Sequence, residues 1–393
     1  MRITRVTLHP VSTRRETGID NQHVIVRLET DRGITGIGEM SDMSHPPAMQ
    51  PDLGDLEVVV NQLLVGREPI ALAENYQRLA EALPSEGKVS VIRCGLELAL
   101  WDAVAKDLGQ PVYNLLGGKL RDRMRVCYPI FRMKVVDEVE PNLERVARRY
   151  DEGFDLFRLY CGGNLDADER FLRGVRDRWG SAIQIKSLDL SALYDWKTGL
   201  KAIERLIDIA DPIIVESPCY RSDLAGMAEI RRRVRVPVSE HVFGLRDAYR
   251  LAEARAVDVF NISLQACGGI TESRQVYALA EAAGLGTLVG TTQELSIGTA
   301  AQLHLATAMP NLTHPGDCTG PVLYRDDVAA DRVRYERSHA VVPDGSGWGI
   351  ALDEEMLNTL HAPLTMARQW MSPRPTDTRT VPPTSGTGLS TTP

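Results

Sequence analysis

Three carboxylates stand out by their positions: Asp189 in "KSLDLS", Glu216 in "IIVESP" and Glu240 in "PVSEHV". Each closes a short apolar run. Asp189 and Glu216 are 27 residues apart, and Glu216 and Glu240 are 24 apart. One strand–helix unit of an eightfold parallel barrel takes roughly 25 residues. The spacing therefore predicts three acids at equivalent carboxyl ends of successive strands, where barrel active sites are built. Carboxylates brought so close repel one another unless a cation joins them. An all-oxygen donor set of this kind suits Mg²⁺. Taken singly, each acid reads as a solvated or salt-bridged residue at the start of a loop; the phase of the three favours the metal reading.

The run before them, "DLFRLYCGG", ends a strand with Arg158 and Tyr160. Residues two apart on a strand share a face, so both point toward the acids. A phenol ordinarily titrates near pH ~10 and is a poor base at neutral pH. A neighbouring guanidinium and a nearby dication both favour the phenolate, while the guanidinium itself stays charged. The pair reads as Tyr160 the general base and Arg158 its electrostatic tuner. A structural tyrosine beside a solvent-reaching arginine is the plainer alternative.

These residues need a scaffold. From about residue 125, short apolar runs ("VCYPIF", "LFRLY", "IQIKSLDL", "PIIVESP", "VPVSEHV", "VFNISL", "GTLVGTT") alternate with amphipathic stretches such as "WKTGLKAIERLIDIA". That alternation predicts a parallel sheet with right-handed crossovers. Seven strands in about 200 residues suit a barrel better than an open doubly wound sheet, and no Gly-x-Gly-x-x-Gly follows the first strand. Before it, "HVIVRLET", the "DRG" turn and "ITGIGEM" read as β structure, followed by a proline-containing loop at 41–54 and helices to about residue 116. The predicted organisation is an α+β unit over 1–124, a (β/α) barrel over 125–325, a segment over 326–371 returning to the N-terminal unit, and a disordered tail over 372–393, rich in Pro, Thr, Ser and Gly.

The whole chain has 393 residues, is 43% hydrophobic and carries a net charge of −8. That composition suits a globular protein with a sizeable core, and the acidic balance argues against nucleic acid as a partner. Six scattered cysteines without a Cys-x-x-Cys pair read as reduced thiols. No signal-peptide core or membrane-length apolar run is evident, so the expectation is a cytoplasmic protein with no membrane partner.

The strand-end acids, the helix "GLELALWDAVAKDLGQPVYNLLGG", "ACGGITES" and "VPDGSGWGIALDEE" resemble the enolase superfamily, in its mandelate racemase and muconate lactonizing branch. The resemblance runs to about residue 370. It implies an α+β capping domain on a (β/α)7β barrel, Mg²⁺ on Asp189, Glu216 and Glu240, removal of a proton alpha to a carboxylate, and homo-oligomers. The chain departs from the common pattern: Arg158-Leu159-Tyr160 replaces Lys-x-Lys, Ser263 stands where the lactonizing group has a lysine, and "LVGTTQEL" lacks the racemase histidine. It is similar instead to a galactarate dehydratase subgroup that uses Arg-x-Tyr, through "TGIGEMSDMSH", "VCYPIFR", "FDLFRLY", "NLDADE", "IKSLDLS", "VSEHV", "FNIS" and "GTTQELSIGTAA". That likeness implies a catalytic role for His45, which alone reads as an exposed loop histidine.

The implied reaction is Mg²⁺-dependent elimination of water from an acid sugar, with galactarate the expected substrate. Tyr160 removes the α-proton, Arg158 helps hold the resulting charge and His45 protonates the leaving hydroxyl. His241, Asn261, Thr292 and Glu294 are candidates for substrate hydroxyls or for orienting other groups; each reads equally as a satisfied polar residue at a strand end. Lys186 is a further candidate for the distal carboxylate, although strand alternation puts it out of phase with Asp189. The rivals are a racemase or epimerase on the same scaffold, and a non-catalytic relative that binds sugar acids.

Overall fold

The computed structural model describes residues 1–43, 51–83 and 89–365. His45 and the tail at 372–393 lie outside them. The chain opens with an antiparallel meander, β1 (Ile3–Arg14), β2 (Asp20–Thr30) and β3 (Thr35–Met40). Helices α1 (Leu53–Leu64), α2 (Leu72–Ala82), α3 (Val89–Asp107) and α4 (Val112–Leu115) follow. Alternation on the strands buries Val6 and Leu8 opposite Leu28 and Val26, giving the sheet one apolar face. That face packs on α3. Helix and sheet approach so closely that a Cβ on Gly38 would lie 2.0 Å from the Gly95 carbonyl oxygen, which explains glycine mid-strand.

A second sheet holds seven parallel strands in chain order: β5 (Tyr128–Ile130), β6 (Leu156–Tyr160), β7 (Gln184–Asp189), β8 (Ile214–Glu216), β9 (Val238–Val242), β10 (Val259–Ile262) and β11 (Gly286–Val289). Between β4 (Arg123–Arg125) and β12 (His339–Val341) runs a separate two-stranded ladder. The crossovers are α5 (Val139–Asp151), α6 (Leu165–Trp179), α7 (Trp196–Ala210), α8 (Leu224–Arg233), α9 (Leu245–Glu253), the short α10 (Leu264–Cys267) with α11 (Ile270–Ala282), and α12 (Ser296–Ala308) after β11. In α7, Leu200, Ile203, Leu206, Ile207 and Ala210 turn one stripe inward. Asp195 caps its start by accepting from the Lys197 and Thr198 amides.

The sheet curls until its edges share a neighbour. The Asp317 amide donates to Val289 O on β11, while Gly316 N–H donates to Arg125 O and Gly316 O accepts from the Cys127 amide. One segment thus bonds to the strand at one edge and to the chain entering the other.

The C-terminal return is attached at several places, including a bridge of His361 to Val11 on β1. β12 pairs with β4. The "PDGSG" turn then carries the chain to the capping unit, where fully buried Trp348 donates its indole N–H to Ile37 O at 3.0 Å and its amide to Asp102 at 2.9 Å. Helix α13 (Glu354–Thr359) closes this part. Among the described residues no helix is long and apolar enough to cross a membrane.

Candidate active site

β6, β7, β8 and β9 deliver the predicted residues to one end of the curled sheet. Register places Tyr160 beside Asp189 and Asp189 beside Glu216. Arg158 is 2% exposed and is the hub. Its Nη2 donates to Asp189 Oδ2 at 2.5 Å and to Glu216 Oε1 at 2.7 Å, and its Nη1 lies 3.1 Å from Asp317 Oδ2. The guanidinium also lies over the Tyr160 ring, 4.4 Å from Cζ to the centroid. Tyr160 also stacks on Phe131, with centroids 5.6 Å apart and planes at 15°.

Glu216 is the most heavily compensated acid. Lys186, His241 and Asn261 join Arg158 around it, at 3.4, 3.0 and 2.9 Å. Burial opposes its ionisation, but Arg158, Lys186 and His241 outweigh burial and hold its carboxyl well below the usual range. The same bond to Glu216 raises the His241 imidazole against the effect of burial. Glu240 differs. Burial raises its carboxyl despite Arg221, whose Nη1 is 3.1 Å from Oε1. Its Oε1 also accepts from Ser217 Oγ and the His241 amide, while the buried Oε2 has no partner.

The chemistry of this donor set fits a hard divalent cation. Asp189 and Glu216 close β7 and β8, Glu240 lies within β9 two residues before its end, and one Glu240 oxygen is buried and unsatisfied. As the side chains stand, Arg158 spans Asp189 and Glu216, and among the described residues no three acid, histidine or cysteine side chains form a closed ligand cage. Asp189, Glu216 and Glu240 are the residues that would hold Mg²⁺.

The backbone is strained beside these groups. Ser191, Ser217 and Gln293 adopt φ of 49°, 45° and 65°, each within two residues of Asp189, Glu216 or Glu294.

Several expectations change. The Tyr160 phenol is pushed up, not down: burial acts first, Arg158 lowers it, and Asp189, Glu216 and Asp317 each raise it further. Arg158 is the largest single electrostatic influence on the phenol, but it does not overcome burial and the three carboxylates together. Lys186 is fully buried, with Nζ 2.7 Å from Asp317 Oδ1 and 3.4 Å from Glu216 Oε2, so it is spent on internal ion pairs and does not await a distal carboxylate. Its inward position comes from a register slip. Phe157 pairs with Ile185 but Arg158 pairs with Ser187, leaving Lys186 as an extra residue that breaks the alternation.

Glu294 likewise serves the scaffold. Fully buried, it accepts from the hydroxyls of Thr291 and Thr292, from the Thr292 amide and from Gln302 Nε2. Thr292 bonds to Ser41 at the end of the capping sheet. Asn261 is bound to Glu216 and to Asp317, at 2.9 and 3.1 Å, although its Oδ1 has no partner. Among these four, His241 and Thr292 stay partly exposed, while Asn261 and Glu294 are fully buried.

Sequence reasoning missed Asp317, Glu39 and Ser41. Asp317 pairs with Arg158 and Lys186, yet "HPGDCTG" carries no strand pattern. Glu39 is buried on β3 and accepts from the Leu295 and Gly298 amides at the start of α12, while its Oε1 lies 2.9 Å from His23 Nδ1. An acid amid the apolar "GIGEM" was the available signal.

The comparisons agree with this architecture. The family model "Mandelate racemase / muconate lactonizing enzyme, N-terminal domain" matches residues 1–117, and "Enolase C-terminal domain-like" matches residues 142–356. The chain belongs to the enolase superfamily. Its branch is that of mandelate racemase and muconate lactonizing enzyme, whose members are generally Mg²⁺-dependent. Muconate cycloisomerase 1 of Rhodococcus opacus is 29% identical over 345 residues, covering 86% of this chain and 90% of that protein. The L-Ala-D/L-Glu epimerase of Bacillus subtilis is 28% identical over 353 residues, covering 87% and 92%. The crystal structure of 2-chloromuconate cycloisomerase from Rhodococcus opacus 1CP superposes with a TM-score of 0.83 at 25% identity, covering 92% of this chain and 99% of that one. These superfamily relatives are enzymes with the barrel architecture.

Proposed function

We propose that this protein is an Mg²⁺-dependent acid-sugar dehydratase on a (β/α)7β barrel, with galactarate as the expected substrate. One observation carries the reading: the Arg158 guanidinium lies on the Tyr160 ring and touches two of the three strand-end carboxylates. This arrangement replaces the family's usual lysine pair with a phenol base and a fixed cation.

Asp189, Glu216 and Glu240 would hold Mg²⁺, which when bound supplies Lewis-acid stabilisation of charge on the substrate carboxylate. With these carboxylates neutralised, burial and Asp317 still oppose the field of Arg158, which favours the phenolate. Tyr160 then takes the α-proton. The electron pair left on the α-carbon forms the double bond as the β-hydroxyl departs, and His45, from the resemblance, supplies the proton that makes it water. The enol becomes a keto-deoxy acid. Arg158 stabilises the charge that develops next to Tyr160.

Epimerisation is the second reading, favoured by relatives such as the L-Ala-D/L-Glu epimerase. It requires a proton donor on the opposite face of the α-carbon. Ser263 is buried there with an unpartnered hydroxyl, and Thr292 is tied to Ser41 and Glu294. Neither is a strong acid or base, which favours elimination.

The test is α-keto-acid formation across a panel of mono- and diacid sugars, with Mg²⁺ and with chelator. Mg²⁺-dependent product from galactarate supports the dehydratase. Solvent deuterium entering the α-carbon without product indicates the epimerase. Ligand binding with neither reaction indicates a binding protein.

A further inference from the structure

Arg15 is a charged residue at the mouth that the proposed chemistry does not use. It leaves the end of β1 and reaches over the curled sheet. It is 6% exposed. Its Cζ lies 5.6 Å from the Phe131 ring centroid and 5.9 Å from that of Tyr324. Phe131 is the ring stacked on Tyr160. Arg15, Phe131, Tyr160 and Arg158 thus form one ladder of cation, ring, ring and cation. Tyr324 donates its hydroxyl to Gln293 O, in the loop that carries Thr292, so Arg15 faces the gap between the ends of β5 and β11.

A buried guanidinium ordinarily has a carboxylate partner. Arg15 makes no ion pair among the described residues, and its buried Nε has no hydrogen-bond partner. The acid next to it in sequence, Glu16, is committed elsewhere: it accepts from Tyr128 and lies 2.5 Å from Arg149. Aromatic faces are a favourable but weak environment for a guanidinium. The guanidinium also bonds the Tyr324 phenol; its remaining donors suit an incoming carboxylate.

We propose that Arg15 receives a second carboxylate of the substrate, so that the site selects diacids over monoacids. The assignment rests on the reading that an acid is deprotonated at Tyr160. A six-carbon diacid held with its α-carbon at Tyr160 carries its far carboxylate four bonds away. Phe131 is the single ring that separates Tyr160 from Arg15. Lys186, the other cation near the acids, is locked to Asp317 and Glu216. A monoacid ends in a neutral hydroxymethyl group and would leave Arg15 without its partner.

Binding decides the matter independently of turnover. Calorimetry with Mg²⁺ present would compare galactarate with galactonate, which differ only at the far carbon, on the natural protein, Arg15→Met and Arg15→Lys. A charged hydrogen bond of this kind corresponds to about 10- to 100-fold in affinity. The natural protein should prefer galactarate by that factor. Arg15→Met should lose the preference while keeping its galactonate affinity, and Arg15→Lys should keep part of it. Equal affinity of the natural protein for both acids, equal losses for both in Arg15→Met, or binding of neither would overturn the assignment. Diacid-selective binding without keto acid or deuterium exchange would reject the proposed reaction and leave the Arg15 subsite standing.

Discussion

The Arg158 guanidinium lies over the Tyr160 ring, with Cζ 4.4 Å from its centroid, while its two terminal nitrogens reach Asp189, Glu216 and Asp317. One side chain therefore touches both the candidate base and the candidate ligand set. Arg158 favours the phenolate, but burial and the three carboxylates together hold the phenol up. Ionisation of Tyr160 is thereby coupled to whatever neutralises the acids.

Tyr160→Phe removes the phenol but keeps the ring that stacks on Phe131 and lies under Arg158. Folding and ligand affinity should survive, with affinity changing less than about threefold. A positioned general base contributes about 10²–10⁴-fold, so α-proton exchange in deuterated solvent should fall by that factor. NMR of the α-carbon proton reads the exchange, and calorimetry reads the binding. Loss of binding in parallel with exchange would make Tyr160 a structural residue.

Lys186 and Asp317 are a buried pair behind the site. Lys186→Met leaves Asp317 and Glu216 with less compensation in a place closed to water. Breaking a buried pair from one side costs about 3–5 kcal/mol, and denaturant unfolding should show a loss of that order. Asp317→Asn should also destabilise, and the double variant should lose less than the two single losses combined. Additive losses would mean that the two side chains do not act as a pair.

These two residues also show what the sequence could and could not reveal. Asp189, Glu216 and Glu240 were legible because each closes an apolar run and the strand–helix unit repeats at a nearly constant length. Arg158 and Tyr160 were legible because strand alternation holds up to the strand end. Alternation failed at Lys186, where the register slips by one residue, a feature of pairing with the neighbouring strand that no single strand encodes. Asp317 lies in a segment whose extended shape comes from bonding to both sheet edges, with no apolar periodicity of its own. Arg15 and Glu39 act across the junction of two units, and their partners are distant in sequence.

Glu39 ties β3 to the first turn of α12. Helix N-termini leave amide N–H groups unsatisfied, and Glu39 accepts two of them, from Leu295 and Gly298, at 2.8 and 2.7 Å. Glu39→Ala strips both amides in a buried place and leaves a cavity. The expected loss is about 2–4 kcal/mol in unfolding free energy. Glu39→Gln retains one oxygen and should lose less. Hydrogen exchange should quicken at the Leu295 and Gly298 amides; unchanged protection there would show that the helix start is held by other bonds.

Two buried groups give stability opposing dependences on pH. Burial pushes the Glu97 carboxyl up to about 7, even though Thr271 and Trp101 donate to it. The folded chain keeps that proton where the unfolded chain, near the ordinary 4.5, has released it. Its contribution is full below about pH 4.5 and is lost as the pH rises through 7. Burial pushes the His304 imidazole down to about 4, from 6.5. Its contribution is full above 6.5 and is lost as the pH falls through 4. Between roughly pH 4.5 and 6.5 the two slopes oppose each other, so these two groups together contribute little net slope there. Each shift corresponds to about 3 kcal/mol at full effect. Glu97→Gln removes the falling slope and should make stability rise with pH across this window. His304→Gln removes the rising slope and should make stability fall with pH instead. Urea midpoints from pH 4.5 to 8 measure both. If the two variants shift in the same direction, the assignment of the slopes to these two groups is wrong.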